Sequence, residues 1–144
     1  MKRLLPVLIA LTALLLLSGC VATRAPEAEG HEWQFIAAQR MSDGVTVASA
    51  PNTPGVPDTA ETVRLSCRMQ AGTLTLASEN GTSHRGSYSQ THVSPDARQL
   101  VITLGKSKGM GTLAHTAYAD GSSVPTLLLA IDGYALTFHA VDTP

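Results

Sequence analysis

From Val63 onward the chain alternates apolar and polar residues with a period of two. Val63, Leu65, Cys67 and Met69 fall on one face and Arg64, Ser66, Arg68 and Gln70 on the other, the pattern of a half-buried β-strand. Thr73–Ala77 predicts the next strand after a turn at Ala71-Gly72. Asn80-Gly81 predicts a tight hairpin. The segment it returns, about Ser83–Thr91, is polar except for Tyr88, and reads as an edge strand or one that faces water on both sides. Leu100, Ile102 and Leu104 alternate again after the turn Ser94-Pro95-Asp96. Lys106–Gly111 reads as a Gly/Lys-rich loop and Leu113–Tyr118 as a short strand. Leu127–Ile131 is a continuous apolar run, expected to be buried on both faces. Asp132-Gly133 makes a second tight turn, and Tyr134, Leu136 and Phe138 close the pattern. Upstream, Trp33 and Phe35 share a strand face, and Val45–Val47 follows a turn at Ser42-Asp43-Gly44. Ala50–Thr62 carries Pro51, Pro54 and Pro57 and is excluded as a central strand or a helix. Convincing helical periodicity is absent. The expectation is an all-β fold, a small antiparallel barrel or sandwich of about seven to nine strands.

The beginning of the chain differs. Lys2-Arg3 precedes an apolar run from Leu4 to Leu17. The run is too short to cross a bilayer comfortably, which takes about 20 residues, and the charged start, apolar middle and small-residue end describe a secretory signal peptide. Leu17-Ser18-Gly19-Cys20 resembles the lipobox of bacterial lipoproteins, position by position. The resemblance implies cleavage by the lipoprotein signal peptidase, recognising Leu17, Ser18 and Gly19. It further implies a diacylglyceryl group on the Cys20 thiol and a palmitate-type acyl chain on the new amino terminus. Acyl chains contribute about 0.8 kcal/mol per buried methylene, so two or three hold a protein stably. Val21 stands where an aspartate is the usual inner-membrane retention signal, which favours the outer membrane, on its periplasmic face. The organisation expected is residues 1–19 as signal peptide, 20–30 as a lipidated tether with little apolar surface to bury, and 31–144 as the β domain.

Charge narrows the partners. Removing Lys2 and Arg3 leaves 8 basic against 11 acidic residues, a net charge of −3 with neutral histidine. There is no basic patch, which argues against nucleic acid. With Cys20 lipidated, Cys67 is unpaired in an oxidising compartment. Its place on the apolar face of a strand predicts burial as a small hydrophobe.

Specific catalytic chemistry is missing. Gly105-Lys106-Ser107 resembles the end of a P-loop, but position 100 is Leu where the motif needs glycine, and no helix follows. His31, His84, His92, His115 and His139 contain no i, i+2 pair able to share a strand face, so no metal site is predicted. The chain has no Gly-x-Ser-x-Gly elbow and no paired carboxylates, and Asn80-Gly81-Thr82 is explained by its turn. We expect no catalytic residues, no cofactor and no enzyme activity. The candidate binding surface is Trp33, Tyr88, Pro54 and Pro57: Trp33 as an aromatic platform or core residue, Tyr88 on the polar strand, and the prolines on the longest irregular stretch.

Trp33 with Phe35-Ile36, Gly86-Ser87-Tyr88 before Leu100-Val101-Ile102, and Leu127-Leu128-Leu129 with Leu136-Thr137-Phe138 resemble the META/heat-shock group of small β lipoproteins. The group's Gly-Cys-Asn signature and its later Thr-x-Met-x-Cys are missing here. The resemblance implies a β-rich envelope protein without known catalysis. The function expected is an outer-membrane accessory protein, held by lipid on Cys20, that binds an envelope protein through a sheet edge near Tyr88 or through the Pro-rich loop. The alternatives are an inhibitor of a periplasmic or host hydrolase such as lysozyme, and a small-ligand or lipid-binding barrel.

Overall fold

A computed structural model describes residues 24–141. Leu17, Ser18, Gly19 and Cys20, on which the expected signal peptide and lipidation site fall, lie outside the described residues. Ten strands follow one another: β1 (Glu32–Arg40), β2 (Thr46–Ser49), β3 (Glu61–Thr62), β4 (Leu65–Gln70), β5 (Thr73–Ser78), β6 (Ser83–Val93), β7 (Arg98–Leu104), β8 (Ser107–Ala117), β9 (Ser123–Ile131) and β10 (Tyr134–Val141). Strands β4 to β10 form a continuous antiparallel meander. β1 joins its two ends by pairing with β4 on one side and β10 on the other. Eight strands thus close a barrel, and β2 and β3 are extra. Among the described residues no helix is long and apolar enough to cross a membrane.

Closure dictates the inward set. Trp33, Met69, Leu74, Leu100, Leu127 and Phe138 are fully buried, and burying each such side chain stabilises the fold by about 1.5–3 kcal/mol. Phe35 meets Phe138 edge to face across the β1–β10 pair, with ring centroids 5.7 Å apart. An extra residue at Ile36 shifts the β1–β10 register. Trp33 and Phe35 point inward before that bulge and Ala38 after it, as a one-residue insertion requires.

Four expectations are corrected. The β6 strand is not an edge: it pairs with β5 along Ser83–Ser87 and with β7 along Gly86–Val93. It is largely exposed nonetheless: only Gly86 and Tyr88 are half-buried, and of the two only Tyr88 has a side chain to pack against the core. The run Leu127–Ile131 is buried on one face only, with Leu128 outward and 40% exposed. The supposed Gly/Lys loop is a two-residue turn at Gly105-Lys106 followed by β8. Gly109 and Gly111 lie within that strand because neighbouring strands crowd them: a Cβ on Gly109 would run into the carbonyl oxygen of Ala130. Finally, the described part of the tether, Arg24–Gly30, is a strap docked across one end of the barrel. Ala25 and Pro26 are buried there, and the Ala25 N–H donates to the Pro95 carbonyl at 3.0 Å.

The β4–β5 turn holds Ala71 at φ 48°, a left-handed conformation that Asn tolerates better than Ala. Ala71→Asn is expected to stabilise the fold by about 0.5–1 kcal/mol, read as a raised denaturation midpoint.

Candidate functional site

β1 forks. Glu32–Gln34 pairs with Arg68–Ser66 of β4, whereas Ala37–Gln39 pairs with Ser49–Thr46 of β2. Where the two partners part, the barrel wall opens into a groove of about 630 Å³. Glu32, Gln34 and Phe35 of β1 line one side, and Leu65, Ser66, Ala77 and Ser78 line the other. Ala50, Pro51 and Asn52 overhang it from the end of β2. Phe35, 4% exposed, forms part of its floor.

The overhang is anchored at its base. The Ala50 N–H donates to the Ile36 carbonyl at 2.8 Å, the Val63 N–H to the Ser49 carbonyl at 2.8 Å, and the Thr53 hydroxyl to the Ala50 carbonyl at 2.8 Å. Pro54 and Pro57, farther along the loop, are exposed. The rim carries Glu32 and an exposed pair, Arg64–Glu79 at 3.2 Å. A surface pair of this kind contributes at most about 1 kcal/mol, so both side chains are available to a partner. The groove is open, amphipathic and lined by amides, hydroxyls and aliphatic carbons. Its lining holds no cysteine or histidine. Among the described residues no group of three or more His, Cys, Asp or Glu is placed to hold a metal ion. The arrangement offers hydrogen-bond donors and acceptors beside a small apolar floor.

The four residues expected to form one surface are dispersed. Trp33 is fully buried, with its indole N–H donating to the Ala28 carbonyl at 3.1 Å, and is a core residue rather than a platform. Tyr88 is half-buried on β6, and its hydroxyl donates to Glu29 Oε1 at 2.9 Å. Burial and that carboxylate both push its pKa up. Only Pro54 and Pro57 are on the loop that begins at the groove. Sequence reading missed the groove because it exists only where β1 changes partner. The bulge at Ile36 sits at that switch and leaves no signal in the alternation, since it occurs within Phe35-Ile36-Ala37-Ala38.

Cys67 is buried inside the barrel, and burial pushes its thiol up to about 12. A thiolate is the reactive form, so Cys67 is inert in the native fold. A folded pKa above the unfolded value near 9 means that the unfolded chain releases this proton first as pH rises. The Cys67 contribution to stability is therefore intact below pH 9 and is lost between about pH 9 and 12. We expect thiol reagents to label Cys67 only on unfolding, and Cys67→Ala to flatten the fall in stability across that pH window, as measured by urea denaturation.

Compared with family models, with curated protein sequences and with solved structures, the chain matches none.

Proposed function

We propose that this chain is a lipid-anchored outer-membrane protein that acts by binding a protein partner, without catalysis. The observation that carries this reading is the placement of the groove relative to the N-terminus. The chain enters the barrel from Arg24 across the end where β4 finishes and β5 begins. The groove runs along the wall from Glu32, at the start of β1, toward the opposite end, beside Ser78 and Glu79, where β5 finishes. Cys20 precedes Arg24 by four residues, at most about 14 Å of extended chain. Lipid on Cys20 would hold the strapped end close to the membrane and turn the groove away from it. The interior is filled by Trp33, Met69, Leu74, Leu100, Leu127 and Phe138, which weighs against a carrier of lipid or small ligand, since an eight-stranded barrel holds a small ligand only where its own side chains leave room.

Labelling cells with alkyne-palmitate and fractionating the envelope tests the anchor. Wild-type protein is expected to carry label and sediment with outer membranes, and Cys20→Ala to carry none. Unlabelled wild-type protein would remove the anchored reading. Lysozyme and protease assays with the purified chain address the inhibitor alternative, and inhibition there would reassign the groove to a hydrolase.

A further inference from the structure

The strap meets the barrel through a matched set of donors and acceptors. Arg98 Nη2 donates to Glu27 Oε1 at 2.6 Å. The Tyr88 hydroxyl and the Ala71 N–H both donate to Glu29 Oε1, at 2.9 and 2.8 Å. The Trp33 indole N–H donates to the Ala28 carbonyl. The barrel thus offers hydrogen-bond donors from four separate elements. The strap answers with a carboxylate, a carbonyl and a second carboxylate on successive residues.

Two features show that the strap is an imperfect occupant. The Arg98 side chain is 9% exposed. Its Nη1 donates to Gln90 Oε1 at 3.1 Å, but its Nε is buried with no hydrogen-bond partner among the described residues. Glu27 engages the guanidinium through one nitrogen only, whereas a carboxylate approaching side-on takes Nε and Nη together, the stronger bidentate geometry. The Glu27 side chain is also 61% exposed. Apart from Ala25, Pro26 and the half-buried Ala28 the strap is polar, and its side-chain hydrogen bonds to the barrel all come from the two carboxylates. A buried guanidinium nevertheless requires an anion whenever the strap leaves.

We propose that this end of the barrel is a binding site for an extended acidic segment with carboxylates at i and i+2, which the protein's own Glu27-Ala28-Glu29 fills in cis and a partner's segment fills in trans. The proposal rests on the reading of this chain as a binding protein. Exchange would free residues 24–30 to lengthen the tether by about 23 Å, so capture of the partner and reach from the membrane are coupled.

Trp33, the only tryptophan, reports the strap directly. The test uses the full chain in detergent micelles and a fluorescein-labelled, end-blocked peptide reproducing residues 24–30. In the E27Q/E29Q double variant, Trp33 emission is expected to shift to the red, and the peptide to bind at least tenfold more tightly than to wild type. A peptide with both glutamates replaced by glutamine should not bind. Adding R98Q should abolish binding. Should R98Q not fold, Tyr88→Phe, which removes one donor, should weaken binding several-fold. Unchanged Trp33 emission in E27Q/E29Q, peptide binding to neither protein, or binding indifferent to Arg98 and Tyr88 would overturn the proposal. Palmitate labelling of Cys20 is independent of each of these results, so loss of the acidic-segment site and loss of the anchored reading are distinguishable.

Discussion

Trp33→Ala is expected to destabilise the barrel by about 3–5 kcal/mol, the range for removing a fully buried large aromatic. The indole fills the interior near the strapped end, lies edge-on to His31 at 5.2 Å, and is completely buried. Its loss opens a cavity and removes the donor to Ala28. For a domain of this size the cost is a large part of a total stability of about 5–15 kcal/mol, and the thermal midpoint should fall by on the order of 15 °C. Trp33→Phe separates the two contributions. It keeps most of the ring volume and loses the hydrogen bond, worth about 0.5–1.5 kcal/mol. A Trp33→Ala variant within 1 kcal/mol of wild type, by urea denaturation, would mean that the interior is not packed around this residue.

Gly86→Ala is expected to be nearly as damaging, although it adds a single methyl group. A Cβ at Gly86 would run into the backbone carbonyl oxygen of Thr103 on β7, with the Leu104 side chain also in the way. A backbone carbonyl in a ladder cannot swing aside, so β6 and β7 must separate and lose pairing. Overpacking costs about 1–3 kcal/mol or more, and this site belongs at or above the top of that range. Gly111→Ala is the matched comparison. Its Cβ would meet side-chain atoms of Leu100 and Leu129 at 3.2–3.3 Å, and those need to move only a few tenths of an ångström, at about 1 kcal/mol. Equal effects at the two positions would contradict the tight β6–β7 approach.

These two residues also mark what the sequence made legible. Trp33 was readable as a core residue because an aromatic opening an alternating strand needs a face to bury. Cys67 was readable as buried for the same reason, lying between Leu65 and Met69 on the apolar face of β4. Gly86 was not readable. Its role comes from the close approach of Thr103 and Leu104 on β7, and a period-two pattern carries no information about distance to a neighbouring strand. The polarity of β6 pointed to an edge because inward positions were assumed to be apolar. Here Tyr88 faces the strapped end, where Glu29 satisfies its hydroxyl. The strap itself read as a plain tether, since Glu27 and Glu29 bury almost nothing. Their partners, Arg98 and Tyr88, are 71 and 59 residues away in sequence, and only closure of the barrel brings them together. The groove was illegible for a related reason: it is produced by β1 leaving β4 for β2, a pairing event rather than a residue pattern.

Whether the groove engages a protein partner when the chain is anchored decides the proposed function. A photo-crosslinking amino acid placed at Asn52, on the groove rim, is compared in intact envelopes with one at Met110, exposed on the opposite wall. A discrete adduct of one mass is expected from Asn52, lost when Cys20→Ala removes the anchor and absent from Met110. No adduct from Asn52, or the same adducts from both positions, would contradict partner binding in the groove.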